Sequence, residues 1–339
     1  MANKVVSISG LHLLIAVFLA VSSSYAQKQK PPTTDDQSVT EDDIVRVSTT
    51  LVTVPVGVMD RQGRFVSDLK EEQFHLYEDG VEQKIAYFES AEKPFTVALL
   101  LDTSDSTRFQ LKDIQDAALA FIDQLRPDDR VMVAAFDKSI SMLAEATNDR
   151  RLLESAIRRT QTGGSTGLYN AIDVIINQRL SRIHGRKAIV LFTDGVDTGS
   201  AGATFQSTLR FAEELDALVY AIQYNTYDDA SKNALAMNAQ VVTAKGEPLN
   251  VAYGRAERYL RLLSDKTGGR FYLADNLKRL RKVFTTIAQE LREQYSLGYY
   301  PKSEGHDADR RIKVKVSVPN VAVKARRGYV YKAPARSGQ

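Results

Sequence analysis

FTVALLLDTSDST, residues 95–107, is the stretch on which the fold turns. Its first seven residues are an unbroken apolar run, too short for a helix and without a polar face, which predicts a strand buried on both sides. The next six are Asp, Ser and Thr, side chains that favour turns and end such runs. Helical spacing then starts at Leu111 and continues to about residue 125. Working outward, residues 131–136 and 140–144 read as strands joined by a tight turn at 137–139. Residues 187–192, 217–224 and 270–273 supply three more strands. Helical patterns at 150–158, 168–180, 204–215, 255–263 and about 277–294 separate or flank them. This alternation predicts an α/β fold: a doubly wound, mostly parallel six-stranded sheet of Rossmann-like type, with helices on both faces. Ligands of such sheets bind beyond the carboxyl ends of the strands, where the winding reverses.

Five residues converge on that expectation. Asp102, Ser104 and Ser106 follow the first strand, Asp194 follows the strand in AIVLFTDG (188–195), and Thr166 heads a helix in GGSTGLYNAI (163–172). Every donor among them is an oxygen, the donor set of a small hard cation such as magnesium or manganese. Other chemistries lack their residues. There is no cysteine, no HExxH pair and no GxxxxGK[ST] loop, so thiol, zincin and phosphate-cradling mechanisms have no anchor.

Asp102-x-Ser104-x-Ser106, then Thr166-x-Leu168-x-x-Ala171, then Thr193-Asp194-Gly195 occur in order and at fitting separations. In these motifs residues 93–294 resemble a von Willebrand factor type A domain with its metal-ion-dependent adhesion site intact. The whole chain further resembles a bacterial group of secreted proteins with a domain related to that type. The resemblance implies that Asp102, Ser104, Ser106, Thr166 and Asp194 hold the ion, with one or both aspartates acting through water. An ion left incompletely neutralised attracts a Glu or Asp carboxylate of a protein partner. Asp197 is either a holder of a water beside the ion or a cap on the next turn; Asp105 and Thr107 read as loop or cap residues.

Two local patterns suggest enzymes and fail in context. Gly163-Gly164-Ser165-Thr166-Gly167 satisfies G-x-S-x-G, with His184 and His306 downstream, but a nucleophile elbow needs a strand before its serine and a helix is expected there. Asp102 as a phosphoryl acceptor would want a second carboxylate two residues on, where Ser104 stands. The four histidines, His12, His75, His184 and His306, are scattered. The expectation is a non-enzymatic module.

The first 26 residues carry Lys4, an apolar core at 11–21 and small residues at Ser24 and Ala26. That is a signal peptide cleaved after Ala26, which places the mature chain in the periplasm or outside the cell. No later segment is apolar enough to cross a membrane. Charge is nearly balanced, 45 Lys and Arg against 42 Asp and Glu, which offers no argument for a nucleic-acid partner; the basic runs at 310–311 and 324–327 read as solvated strand residues.

Residues 27–43 are polar and Pro-containing, a flexible linker. Residues 44–90 then alternate as strands, with a hairpin signal at Asp79-Gly80. Residues 295–332 alternate likewise, about three strands against about four at the other end, before a tail at 333–339. Neither end has strands enough to protect its own edges. One immunoglobulin-like β-sandwich built from both ends, with the metal-binding domain inserted, is the economical arrangement; it resembles the plan of integrin β subunits, and two separate β-units are the alternative. Between the strand ending at Tyr224 and the helix expected near Arg255 lie about thirty residues, a long loop on the metal face with Tyr224, Tyr227 and Tyr253 as candidate contact aromatics. The function expected is cation-dependent adhesion or scaffolding. The alternatives are a structural subunit of an envelope complex, with the ion as a loop staple, and third a hydrolase.

Overall fold

The computed structural model describes residues 51–90, 93–224, 242–243, 246–274, 276–302 and 308–331. The expected signal peptide at 1–26, the linker at 27–43, residues 44–50, loop residues 225–241 with Tyr227, His306 and the tail at 333–339 lie outside them.

The chain enters through four strands, β1 (Val52–Asp60), β2 (Phe74–Glu78), β3 (Val81–Gln83) and β4 (Tyr87–Glu89). It continues through β5 (Thr96–Asp102), α1 (Leu111–Ile122), β6 (Arg130–Phe136), β7 (Ile140–Thr147), α2 (Arg150–Arg158) and α3 (Leu168–Val174). Then come β8 (Lys187–Thr193), α4 (Phe205–Glu214), β9 (Leu218–Tyr224), α5 (Leu249–Thr267), β10 (Phe271–Ala274) and α6 (Leu277–Arg292). Four strands close the described chain: β11 (Tyr295–Tyr299), β12 (Ala308–Val316), β13 (Val321–Ala325) and β14 (Gly328–Tyr331).

The central sheet has the order β10-β9-β8-β5-β6-β7. Its pairings are parallel except that β7 runs antiparallel to β6. The mostly parallel six-stranded sheet expected from the sequence is therefore present. Every residue of β5, β8 and β9 is buried, because helices cover both faces. One apolar core packs α1, α2 and α6 on Val97, Leu99 and Val190; the other packs α3, α4 and α5 on Leu100, Ile189 and Leu191. From β5 the chain winds to one edge through β6 and β7, and later to the other through β8, β9 and β10. The loops after β5 and β8 thus part at the reversal point and leave a crevice.

The two ends of the chain interleave. β1 pairs with β11 and β13, and β2 with β12. The resulting four-stranded sheets, β13-β1-β11-β4 and β14-β12-β2-β3, share a core containing Val54, Val56, Leu76, Tyr295, Leu297 and Ile312. Among the described residues no helix is long and apolar enough to cross a membrane.

Three expectations need correction. The C-terminal segment holds four strands rather than about three, because 321–331 carries two: β13 pairs with β1 in one sheet and β14 with β12 in the other. The break falls where buried Arg326 turns inward to donate to the Glu213 carbonyl, 3.4 Å. Gly328 then passes so close to the Arg310 carbonyl that a Cβ would sit 2.3 Å from its oxygen. The helix expected from Arg255 begins at Leu249 instead, started by Pro248, whose carbonyl accepts from Val251 and Ala252. Gly254 inside the pattern hid that first turn, and the loop is correspondingly shorter, ending in a small turn closed by the bridge Val242 to Pro248. Finally, the helix expected over 168–180 is α-helical only to Val174 and widens into a π-turn at Ile175–Arg179.

Candidate metal centre

Parallel pairing of β5 with β8 sets Leu101 opposite Phe192, so Asp102 and Asp194 leave adjacent strands at their carboxyl ends. Asp102, Ser104, Thr166 and Asp194 are all buried, at 0, 1, 4 and 1% exposure. Ser106 lies on the solvent side of the group. Asp102 Oδ1 accepts from the Ser104 amide at 2.9 Å and Oδ2 accepts from the Thr193 hydroxyl at 2.5 Å. Ser104 Oγ and Ser106 Oγ are 3.0 Å apart. Asp194 Oδ1 accepts from the Val196 amide at 2.9 Å.

Backbone bonds stitch the three loops together. The Asp105 amide donates to the Gly164 carbonyl at 3.0 Å, and the Thr198 and Gly199 amides donate to the Thr166 carbonyl at 3.0 and 2.7 Å. The Thr166 amide donates to Thr198 Oγ1 at 2.9 Å. Thr166 Oγ1 itself makes no hydrogen bond among the described residues. Gly195, following Asp194, has φ 84°, and a Cβ there would lie 2.9 Å from Leu260 Cδ1; both the left-handed backbone and the packing of α5 demand glycine.

The electrostatics suit a cation. Burial, and next the Asp194 carboxylate, raise the Asp102 carboxyl above the ordinary carboxylate range, against hydrogen bonds from Ser104 and Thr193 that lower it. Two buried acids that disfavour each other's charge, beside three hydroxyls, fit a small hard ion that would relieve the repulsion. No three His, Cys, Asp or Glu gather as a metal-binding cluster among the described residues; any site here draws its remaining donors from hydroxyls.

The structure also sorts the neighbouring residues. Asp197 acts as a cap: Oδ1 accepts from the Tyr169 amide in the first turn of α3 at 3.3 Å and from Ser200 Oγ at 2.5 Å. Thr107 donates to the carbonyls of Asp102 and Ser104, a turn role. Ser165 lies in the loop between α2 and α3 rather than after a strand, so no nucleophile elbow forms. His75 sits away from the crevice on β2, between Glu82 and Ser317.

Four participants were not assigned to the metal centre from the sequence. Thr193 bridges Asp102 and the Gly195 amide. Gln223 Nε2, buried on β9, donates to the Asp194 carbonyl at 2.9 Å. Thr198 holds Thr166, and Tyr253 from α5 brings its hydroxyl to 3.5 Å from Asp194 Oδ2. Of these only Thr193, inside TDG, and Tyr253, among the loop aromatics, stood in stretches already singled out. Tyr224 instead packs on Phe192, ring centres 5.8 Å apart.

A family model described as von Willebrand factor type A domain matches residues 97–196, the segment from β5 through Asp194. That segment is similar to a von Willebrand factor type A domain. Beyond that segment, the chain is similar to a UPF0353 protein of Mycolicibacterium gilvum, 24% identical over 215 residues, which are 58% of this chain and 60% of the relative. It thus spans less than two thirds of that relative's length. Among solved structures, the von Willebrand factor type A protein of Catenulispora acidiphila aligns over 85% of this chain and 75% of its own at 10% identity and a TM-score of 0.47. The conserved hypothetical protein BatB of Bacteroides thetaiotaomicron aligns over 59% of this chain and 97% of its own at 16% identity and a TM-score of 0.44.

Proposed function

We propose that this protein is an exported module that binds a protein partner through a divalent cation. Asp102, Ser104, Ser106, Thr166 and Asp194 hold magnesium or manganese, and a Glu or Asp carboxylate of the partner completes the ion's shell. The von Willebrand type A domain, residues 93–294, is inserted in an immunoglobulin-like β-sandwich of residues 44–90 and 295–332, behind a signal peptide at 1–26 and a linker at 27–43. The observation that carries the reading is the pair of buried carboxylates at the carboxyl ends of β5 and β8, each raising the cost of the other's charge. Ser106 is exposed while the other four residues are buried, so an acidic group of a partner would reach an ion held there from the Ser106 side.

A loop staple is the weaker account, since backbone bonds and the Thr193 and Thr198 hydroxyls already join the three loops. Isothermal titration with magnesium and with manganese, on the native chain and on Asp194→Ala, tests the proposal, alongside capture of partners from envelope extracts in magnesium against EDTA. The expected result is metal binding lost in the variant with the circular dichroism unchanged, and capture that chelation abolishes. Native affinity in Asp194→Ala would refute the site. A large fall in melting temperature on chelation, with capture unaffected, would favour the staple.

A further inference from the structure

Five exposed cations pair with acids one helical turn away or across a short gap: Arg64 with Asp60, Lys112 with Asp116, Arg158 with Glu154, Arg255 with Glu247 and Arg261 with Glu257. One cleft gathers four exposed cations without such a partner. On the outer face of the sheet β14-β12-β2-β3, Arg311, Lys313, Lys315 and Arg327 line a concavity of 790 Å³ together with Tyr77 and Asp79. All four cations are exposed, and none has an ion pair among the described residues. Asp79 does not neutralise them: Oδ1 accepts from the Arg311 amide at 2.9 Å and Oδ2 lies 3.6 Å from buried Arg310. Glu82, across from Tyr77 on β3, is bound to His75 at 2.8 Å.

The arrangement is periodic because the strand is. Alternate residues of β12 share a face, so Arg311, Lys313 and Lys315 present positive charge at intervals of about 7 Å, with Arg327 beside the first. We propose that this cleft is a second binding site, independent of the metal centre, for a linear acidic polysaccharide. A concave groove suits a chain rather than a bilayer surface, which needs a flat or protruding face. Tyr77, the aromatic residue lining the cleft, has the Lys315 ammonium 5.0 Å from its ring centre, so it offers no open platform for stacked nucleobases.

The cleft also lies away from the candidate metal centre. Tyr253, near the start of α5, reaches Asp194. Asp265 and Lys266 at the other end border the adjoining cleft with Arg311 and Arg327. From Tyr253 to Asp265 the helix α5 rises about 18 Å, which keeps the two sites apart. A protein with both would hold an anionic glycan at one end and a protein carboxylate at the other.

The test is isothermal titration of the full chain with alginate oligomers in EDTA, which silences the metal centre. Expected are binding that weakens as sodium chloride rises and a loss of about tenfold or more in Lys313→Gln/Lys315→Gln. Lys112→Gln/Lys282→Gln, which removes the same charge elsewhere, keeps native affinity. Thermal melting verifies that each variant is folded, and Arg327→Gln replaces the double variant should that one unfold. Undiminished binding in the cleft variants, equal affinity for neutral dextran, or tighter binding of a single-stranded oligonucleotide or of anionic vesicles would overturn the assignment.

Discussion

Thr193 shows how a single hydroxyl holds the site. It is fully buried, donates to Asp102 Oδ2 and accepts from the Gly195 amide. Valine has nearly the same shape and can do neither, leaving a buried carboxylate oxygen and a buried amide without that partner. Thr193→Val is therefore expected to cost about 2 kcal/mol, a fall of roughly 4–8 °C in Tm for a domain of this size, measured in EDTA by thermal melting. A change within 1 °C would mean that water replaces the hydroxyl and that the bonds contribute little. The five proposed ligands were legible because their spacing along the chain is a motif. Thr193, Gln223 and Tyr253 were not, because what they touch depends on β5 lying beside β8 and on the path of α5, which brings Tyr253 to a residue 59 positions away.

At the level of elements, the terminal strands are partners chiefly across the chain rather than along it. Among the described strands β1 pairs with β11 and β13, and β4 with β11; within residues 51–90 the strand pairing is the hairpin of β2 with β3, beside an isolated bridge from Met59 to Phe65. The central sheet differs, since both of its apolar cores are drawn from residues 95–291. The fragment 93–294 is accordingly expected to melt cooperatively alone, while the fragment 44–90 should stay unfolded or aggregate until residues 295–332 are supplied. Circular dichroism with thermal melting on both pieces decides it. A cooperative melt of soluble, monomeric 44–90 would show that the N-terminal strands own a core. Alternation identified most of these strands; it could not tell which sheet each joins, and so the division of β13 from β14 escaped it.

Across the whole molecule, charged groups are buried where the β-sheets of the termini meet the central domain. Arg326 donates to the Glu213 carbonyl. Arg270 binds Glu290 at 3.0 Å and reaches the Met59 sulfur at 3.1 Å. Lys324 of β13 donates to the Gly269 carbonyl just before β10. Burial is the main cause that lowers the Lys324 ammonium to about 8, with Glu290 opposing. Unfolded, the same group titrates near 10.5, so between those values the unfolded chain binds more protons and stability rises with pH. Below about 8 both states are charged and the burial penalty stands in full. The melting temperature of the native chain relative to Lys324→Met is expected to climb from pH 7.5 to pH 10; a constant difference would show that Lys324 is solvated in the folded state.

The sequence by itself determined the class of the central fold and the order of its strands and helices, and it named five candidate oxygen donors, because buried parallel strands, helical periodicity and residue motifs are all local patterns. Tertiary structure alone decided how the two ends interleave, where α5 begins, that Asp197 caps α3, and that Arg311, Lys313 and Lys315 share a cleft with Arg327 without an ion pair among the described residues. Strand partners, burial and the charge around a side chain are set by residues distant in the chain, and no local pattern encodes which of them come together.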